Sequence, residues 1–557
     1  MRVRSDIIRI YQSIHIWTGI ITGLVLFIGF YAGSLTMFKP AIDRWIAPPA
    51  QILAPIPLTK TQLLVDKVLQ EKTASQQGFT LFINTKESKQ SPLIWHDSAQ
   101  DREFSLETTQ WQATLNVHNE LVTQQVTPSA LAELIDILHR TAGIPGMAGH
   151  EYLGVLILGG AAVLYFLALV SGVIFLLPTL AKTFLALRKG KSESRFWLDA
   201  HNIIGLTSLP FHVVMSVTVV VFAFHDVIYD GLQTVVYGET PMFTRPVSTT
   251  EVPATIDNLL SIETLLAKSK SIAPEFSVTN MVFSDLQGQR PSVRLGVYNP
   301  DYIMRGPITD YIFFHPYNGM LLNSTLQPGP DGLWNRVVAS FFALHFGSYG
   351  GNLVRWSYFF LGLGGAFLFY SGNILWLEKR RIKLKKGAPQ QPQSTTCYNM
   401  ASATVGICIG SIAAVLLTMV IGKWLYLHVN NINHYYYGLY YSIFISSVCW
   451  AFWRGAARAS IELLSMTAIA AFAIPATSIV AWFDVFPVWS SQSMSSLGID
   501  LAALVTGFLM LLLAKKAKYR ALNGAPDSVW SFHSYRDELR SKSTEDNLTT
   551  KTAQTIL

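Results

Sequence analysis

Eight stretches of this chain are apolar over about 20 residues, the length that an α-helix needs to cross the hydrocarbon core of a bilayer. Backbone groups in lipid must satisfy one another, so each stretch is expected to be a helix. Hydrophobic residues make up 50% of the 557 positions and charged residues only 14%, which excludes an ordinary soluble protein of this size. We therefore predict a polytopic α-helical membrane protein with spans at 12–38, 150–179, 199–226, 353–377, 401–425, 437–453, 461–483 and 498–514.

The net charge of +7 comes largely from short basic runs beside these spans. Such runs mark cytoplasmic loops, so the charge reflects topology and does not indicate a nucleic-acid partner. With eight spans, every basic run is cytoplasmic when both termini are cytoplasmic, and residues 1–38 form a retained span. The predicted cytoplasmic segments are the loop 180–198, the linker 378–400 and the tail 515–557, while 39–149 and 227–352 face the periplasm of a Gram-negative bacterium.

The two outer segments contain patterns typical of β-strands. These are residues 79–84, 292–298 and 311–314, the last followed by a Pro-Tyr-Asn-Gly turn at 316–319. Small α+β domains between the spans are therefore expected. The three cysteines, Cys397, Cys408 and Cys449, lie in or beside the C-terminal spans and provide neither a disulfide framework nor an iron–sulfur cluster.

The first four spans contain an internal repeat. His15 and His201 each begin a His-x-x-x-Gly sequence near the cytoplasmic end of a span. His139 and His345 each end a helix-like Leu-His stretch that precedes a glycine-rich break and the returning span. Repeats packed about a pseudo-twofold axis along the membrane normal would bring His15 to His201 near the inner face, and His139 to His345 near the outer face.

His212 has no counterpart in this repeat, because the residue eleven positions after His15 is Leu26. On one helix, eleven residues make three turns plus about 20°, which places His212 on the face of His201 and about 16 Å further out. Histidine inside a membrane calls for a partner such as a metal, a porphyrin or a proton path. His212 either replaces His139 or His345 as an outer ligand or hydrogen-bonds a propionate.

Two histidine pairs at two depths match the needs of bis-histidine haem, which are neutral imidazoles on opposed helices in a low-dielectric crevice. Gly19 and Gly205, one turn beyond the inner histidines, leave room for a flat macrocycle. We therefore predict a four-helix haem-binding core with two b-type haems. The alternative is that these histidines are structural and bridge helices by hydrogen bonds.

These segments resemble the PepSY-associated transmembrane helix proteins, which include iron-regulated membrane proteins and haem-containing inner-membrane siderophore reductases. The likeness covers residues 8–382, and its most specific part runs from Trp-Leu-Asp-Ala-His at 197–201 to Leu-Pro-Phe-His at 209–212. The resemblance implies PepSY-like outer domains, b-type haems and reduction of ferric siderophores. Where members of that family usually have Thr-Gly in the third span, this chain has Thr218-Val219. The other matching segments are 15–19, 38–45, 138–139, 355–356, 361–364 and 371–376.

The expected function is a di-haem oxidoreductase of the inner membrane that passes electrons outward to a ferric siderophore. No glycine-rich nucleotide loop is present, so the electrons would come from quinol or from a cytoplasmic donor. Two other functions stay open, a non-enzymatic protein whose outer domains bind or restrain a periplasmic partner, and a siderophore or haem permease. The four extra C-terminal helices carry no redox motif.

Overall fold

The computed structural model describes residues 4–83, 91–97, 109–149, 151–180, 187–188, 193–240, 255–326, 332–383, 392–483, 485–490 and 494–532. Its helices are α1 Ser5–Thr36, α2 Lys39–Ile46, α3 Thr61–Glu71, α4 Leu131–Thr141, α5 Leu153–Leu176, α6 Glu193–Thr207, α7 Leu209–Leu232, α8 Ile262–Ile272, α9 Gly332–Phe346, α10 Gly351–Arg380, α11 Thr395–Thr404, α12 Gly410–Leu425, α13 Asn433–Arg454, α14 Ala456–Ala481 and α15 Met494–Asn523. The strands are β1 Gly78–Phe82, β2 Leu93–Trp95, β3 Gln110–Leu115, β4 Leu121–Val126, β5 Met147–Ala148, β6 Glu151–Tyr152, β7 Ser277–Ser284, β8 Ser292–Tyr298, β9 Asp310–Phe314 and β10 Leu321–Ser324.

Seven helical segments among these residues are long and apolar enough to cross a membrane. They confirm a multi-pass membrane protein. The sixth of the eight predicted spans, 437–453, corresponds to α13, which is a helix of 22 residues but is not among the seven. Its first half contains five tyrosines, which make it more polar than its neighbours. The seven segments are Ser5–Thr36, Leu153–Thr179, Leu209–Tyr237, Gly351–Arg380, Thr395–His428, Ala456–Ala481 and Ser496–Asn523.

The third span differs from the single helix expected over 199–226, because the chain forms two helices, α6 and α7, that meet at Ser208. Pro210 explains the interruption. It lacks an N–H to donate to the carbonyl of Leu206, and its ring crowds that carbonyl. Helical hydrogen bonds continue on both sides, from Ser208 N to Ile204 O and from His212 N to Ser208 O. His201 and His212 therefore lie on successive helices.

The chain divides into two compact units. The first, called here the helical unit, comprises residues 1–34, 134–216 and 361–557. It contains most of α1 and α4, the short hairpin β5–β6, α5, α6, the start of α7, the second part of α10, and α11 to α15. The second, called the sheet unit, comprises 35–133 and 217–360. It contains most of the two long segments that were predicted to face outward, namely residues 39–133 of the first and all of the second, 227–352.

Within the helical unit, helices α11 to α15 form the C-terminal bundle, which packs against α10. Ile374 and Leu377 of α10 share a buried cluster with Ala401 of α11 and Ala459 of α14. Alanines at these contacts let the helix backbones approach closely. The ion pair between Arg520 Nη2 and Glu378 Oε1, 2.5 Å apart, joins the end of α15 to the end of α10. The linker residues 384–391 and the tail residues 533–557 lie outside the described part of the chain.

The sheet unit is built on one antiparallel sheet of eight strands in the order β10-β9-β8-β7-β1-β2-β3-β4. The predicted strands at 79–84, 292–298 and 311–314 are confirmed as β1, β8 and β9, and Gly319 in the turn after β9 has a φ of +69°. The two outer segments were expected to give separate small domains. Instead, their first strands pair, with Thr80 opposite Val282, so the sheet is continuous.

Each half of this sheet is a four-strand meander preceded by one helix of 11 residues, α3 or α8. Both helices contribute to the same buried core, through residues such as Val65 of α3 and Leu265 of α8, which are both 0% exposed. At the centre of that core the rings of Phe79 and Phe283 stack with centroids 4.4 Å apart. The sheet unit therefore folds around a single hydrophobic core that both outer segments supply.

Candidate cofactor site

Two histidines of the helical unit face each other, His15 in α1 and His201 in α6. Their ring centroids are 6.3 Å apart and the ring planes cross at 84°. Nδ1 of His15 lies 2.8 Å from the carbonyl oxygen of Ala168 in α5, and Nδ1 of His201 lies 2.9 Å from the hydroxyl oxygen of Ser371 in α10. The structure thus brings together the two histidines that the sequence assigns to the inner site, and each ring is oriented by a different helix.

These hydrogen bonds determine which ring nitrogen carries the proton. A carbonyl oxygen can only accept, so Nδ1 of His15 donates to Ala168. The hydroxyl of Ser371 donates to the carbonyl of Leu368 at 3.1 Å, so its oxygen accepts from Nδ1 of His201. In both neutral rings the lone pair therefore lies on Nε2. Metal-ligating histidines are usually oriented in this way, by a hydrogen bond from the other ring nitrogen.

The separation of the two rings fits one metal atom between them. An imidazole nitrogen binds a first-row metal at about 2 Å and lies about 1.2 Å from its ring centre, so two rings on opposite sides of one metal have centroids about 6.4 Å apart. Two imidazoles joined directly by a hydrogen bond would have centroids about 5.3 Å apart. The observed 6.3 Å is close to the first value and exceeds the second, and it is also within the range of edge-to-face ring contacts.

Glycines provide space on both sides of this pair. A methyl group added at Gly19 would meet no other side chain or neighbouring helix within 4 Å, and one added at Gly205 would meet only Cδ2 of Leu368, at 3.7 Å. A methyl group at Gly172 of α5, in contrast, would lie 2.8 Å from Nδ1 of His15. Gly19 and Gly205 therefore leave open volume beside the rings, as a flat macrocycle requires, and Gly172 allows the close approach of His15 to α5.

His139 and His345 are each anchored within a different unit. His139 lies in the last turn of α4, with Nδ1 2.9 Å from the carbonyl oxygen of Gly29 in α1. His345 lies in the last turn of α9, with Nδ1 2.9 Å from Oγ1 of Thr218 in α7. The predicted Leu-His helices are thus present. The pairing of His139 with His345 stays a prediction.

The same contact scheme recurs in both halves of the sequence. The histidine near the start of an entering span, His15 or His201, bonds to the returning span of its own half, α5 or α10. The Leu-His histidine, His139 or His345, bonds to the entering span of its own half, α1 or α7. In all four cases Nδ1 is the atom engaged.

His212 is held quite differently. It is 0% exposed, and neither of its ring nitrogens has a hydrogen-bond partner among the described residues. Its neighbours are aromatic, with the ring centroids of Phe30 and Tyr165 at 5.7 and 6.1 Å. A buried polar group without a partner costs about 1–3 kcal/mol. His212 thus has hydrogen-bonding capacity that a bound ligand would satisfy.

The segment Trp-Leu-Asp-Ala-His has a second anchored side chain, Asp199, which is 1% exposed. Its Oδ1 lies 2.7 Å from Nη2 of Arg188, and its Oδ2 accepts from both Nε and the backbone N–H of that arginine at 3.0 Å. Charge-assisted bidentate bonds of this kind are strong and directional. Asp199 therefore fixes Arg188 to α6 only two residues before His201.

Sequence reasoning missed Ser371 and Thr218, whose hydroxyl oxygens orient His201 and His345. The partners are 170 and 127 positions apart, so no local spacing rule connects them. The one available signal was that both residues lie in segments already identified. Ser371 begins the segment 371–376 of the fourth span, and Thr218 belongs to the Thr218-Val219 pair that replaces the usual Thr-Gly.

A sequence profile of the family described as PepSY-associated TM region matches residues 12–379. The chain belongs to this family. The PepSY-associated TM match agrees with the resemblance over 8–382, includes all five candidate histidines, and ends with α10. The C-terminal bundle lies beyond it. No curated protein matches this chain.

Proposed function

We propose that this PepSY-associated TM protein is a b-type di-haem oxidoreductase of the bacterial inner membrane, which moves electrons outward to reduce ferric siderophore and so aids iron release. The observation that carries the proposal is the inner histidine pair. His15 and His201 are both anchored through Nδ1, and their centroids are 6.3 Å apart, so both imidazoles would be placed to hold one haem iron.

In this proposal His15 and His201 would hold the inner haem, and His139 and His345 would hold the outer one. His212 is the alternative outer ligand, or it hydrogen-bonds a propionate. A bound haem supplies one-electron transfer, since its iron exists in ferric and ferrous states. The chain's own residues orient the imidazoles, through hydrogen-bond acceptors on neighbouring helices, and provide open volume at Gly19 and Gly205.

A second haem is proposed because one cofactor cannot bridge a hydrocarbon core about 30 Å thick. The recurrence of the Nδ1 contact scheme in both halves of the sequence supports a repeated core with two equivalent sites. The electron donor in this scheme is quinol or a cytoplasmic protein.

The proposed substrate is ferric iron in a siderophore complex in the periplasm. Each ferric ion takes up one electron and becomes ferrous. Ferrous iron is softer and binds hard oxygen chelators far less tightly, so the chelate then releases it. The outer segments contain no cysteine, which is consistent with a role in shaping access to the outer haem without transferring electrons themselves.

The test is anaerobic stopped-flow mixing of prereduced, full-length protein in detergent with ferric hydroxamate, catecholate and carboxylate siderophores. The proposal predicts reoxidation whose rate rises in proportion to the concentration of at least one ferric siderophore, with ferrous iron trapped by a chelator. The same siderophore loaded with redox-inert gallium should cause no reoxidation. Reoxidation no faster than in buffer, across all three classes, would refute the reductase function.

A further inference from the structure

The C-terminal bundle contacts the end of α4, the helix that carries His139. The hydroxyl of Tyr441 in α13 donates a hydrogen bond of 2.9 Å to the carbonyl oxygen of Gly143. The two residues are 298 positions apart in sequence, and both belong to the helical unit. The ring of Tyr440 lies beside the same glycine, since a methyl group added there would be 3.9 Å from its Cε1. The first half of α13 therefore packs on the turn that follows α4.

The backbone of this turn is strained. Ala142 and Gly143 are both in the left-handed region, with φ of +52° and +73°. Glycine adopts this conformation freely, but the Cβ of an alanine crowds the backbone there. Such residues persist only where the surrounding contacts fix them. The N–H of Gly143 donates to Oγ1 of Thr141 at 3.2 Å, and the bond from Tyr441 fixes the carbonyl of the same glycine from a distant part of the chain.

His139 depends on this turn for its position. It lies in the last turn of α4, three residues before Ala142. Its ring packs closely on α1, because Nδ1 is 2.9 Å from the carbonyl oxygen of Gly29, and a methyl group added at Gly33 would be 2.6 Å from that nitrogen. A ring packed this closely has little room to adjust, so a shift in the end of α4 would break the bond to Gly29 or redirect Nε2.

The other Leu-His helix, α9, is fixed by a tyrosine in a similar way. The hydroxyl of Tyr358 in α10 donates a hydrogen bond of 2.7 Å to the carbonyl oxygen of Leu344, the residue before His345. The ring of Tyr358 also packs on Gly347, which has a φ of +64°, and a methyl group there would be 3.1 Å from Cδ1 of the ring. Here the tyrosine comes from the returning span that follows the histidine.

The returning span after His139 has no tyrosine in such a contact. Helix α5 contains a single tyrosine, Tyr165, whose ring packs against Phe30 of α1 with centroids 5.8 Å apart. Two tyrosines of α13 provide the equivalent contacts, since Tyr440 packs beside the glycine and Tyr441 bonds to the backbone. The C-terminal bundle thus provides for α4 what α10 provides for α9.

We propose that the C-terminal bundle positions His139, and that Tyr441 is the residue through which it acts. The consequence for electron transfer rests on the proposed function, in which His139 is a ligand of the outer haem. Tyr441 is a positioning residue, because it acts through the turn after α4. The proposal gives the helices beyond the family match a role in the redox core.

The first test uses haem-depleted, full-length protein in detergent. Tyr441→Phe keeps the ring but removes the hydrogen bond, so amide hydrogen exchange at Gly143 and Ile144 should accelerate by roughly 2- to 12-fold. Exchange of the ring C2 hydrogen of His139, measured by mass spectrometry, should accelerate as well. The same measurement at His345 provides an internal reference that should not change.

Tyr435→Phe is the matched control, because Tyr435 is in the same helix and is 45% exposed. It should leave the exchange of the turn and of His139 unchanged. A bond that only ties α13 to α4 would slow opening of the turn without influencing the imidazole. Unchanged exchange in Tyr441→Phe, either at the turn or at the C2 hydrogen of His139, would therefore overturn the proposal.

The second test uses the oxidised, haem-loaded protein. The low-spin electron paramagnetic resonance signals of haem depend on the strength and orientation of the axial imidazoles. Tyr441→Phe should shift the signal that persists in His201→Ala and leave the other signal in place. An unshifted outer signal in protein that binds both haems would also overturn the proposal. A protein that binds no haem, but in which Tyr441→Phe accelerates C2 exchange at His139, would refute the proposed function and support the positioning of His139.

Discussion

The inner histidine pair and His212 belong to the same helical unit but are supported in opposite ways. His15 and His201 each donate from Nδ1 to an acceptor on another helix, whereas both nitrogens of His212 lack a partner among the described residues. An anchored imidazole is oriented before a ligand binds. An unanchored one depends on the ligand for its hydrogen bond. Ligation by the inner pair should therefore be the feature most sensitive to substitution.

The largest effect is expected from removing one inner ligand. If two imidazoles hold each haem, as proposed, His201→Ala should lose about one haem per chain and leave the outer haem reducible by dithionite. Absorbance per chain of the reduced, purified protein measures this. His428→Ala, at an exposed histidine between α12 and α13, is the control and should keep the full haem content. Unchanged spectra in His201→Ala would show that the inner assignment is wrong.

A smaller loss of haem binding is expected from a substitution that crowds His15 but leaves His15 itself unchanged. In Gly172→Ala the new methyl group would lie 2.8 Å from Nδ1 of His15. Overpacking of this kind costs about 1–3 kcal/mol, which corresponds to roughly 5- to 150-fold weaker haem binding. Titration of haem-depleted protein with haemin gives the affinity. Gly160→Ala, in the same helix, is the control, because its methyl group would meet no side chain or neighbouring helix within 4 Å. Equal losses of haemin affinity in the two variants would show that crowding of His15 is not the cause.

Removing the anchor of His201 should weaken haem binding while keeping both ligands. Ser371→Ala deletes the acceptor of its Nδ1 hydrogen bond, and such losses typically reduce metal affinity by roughly 10- to 100-fold. Ser371→Thr should restore most of it. Ser357→Ala, at an exposed serine of the same helix, should have no effect. The prediction fails if Ser371→Ala and Ser357→Ala bind haemin equally well.

His212→Ala decides between the two roles of His212. With the outer haem held by His139 and His345, the variant should keep both haems and shift a midpoint potential by an amount on the order of tens of millivolts. Spectroelectrochemical titration measures the shift. If His212→Ala loses the outer haem while His139→Ala or His345→Ala keeps a normal six-coordinate low-spin spectrum, the symmetric pairing is refuted.

The smallest effect concerns His315, a buried histidine of the sheet unit. Burial lowers the pKa of His315 below its usual 6.5. The folded state therefore holds His315 neutral, while the unfolded chain binds a proton below about pH 6.5, so the sheet unit should lose stability as the pH falls through that value. His315→Gln should lessen this loss. Hydrogen–deuterium exchange of peptides from β7 to β10, corrected for intrinsic rates, measures the stability of the sheet unit at each pH. The same loss of protection at low pH in His315→Gln and in the unmodified protein would contradict this prediction.

Local patterns were sufficient for the strands β1, β8 and β9, for the membrane helices other than α13 and the interrupted third span, and for the contact of His15 with His201. Each depends on residues close in sequence or on the internal repeat that we predicted from the sequence. The pairing of β1 with β7 was not predictable, because strands from separate outer segments carry no mark of their partner. The roles of Ser371 and Gly172 depend on how distant helices pack. Pro210 could have indicated the break at Ser208, but the length of the apolar stretch led us to predict a single helix over 199–226.

The most direct test of the central claim is the haem content of purified, full-length protein. A reduced-minus-oxidised spectrum and a pyridine haemochrome assay, set against protein concentration from amino-acid analysis, give the number of haems per chain. The proposed function predicts a b-type spectrum and about two haems per chain, one for each histidine pair. A folded, monodisperse protein that is colourless, and that stays colourless after incubation with haemin, would contradict it.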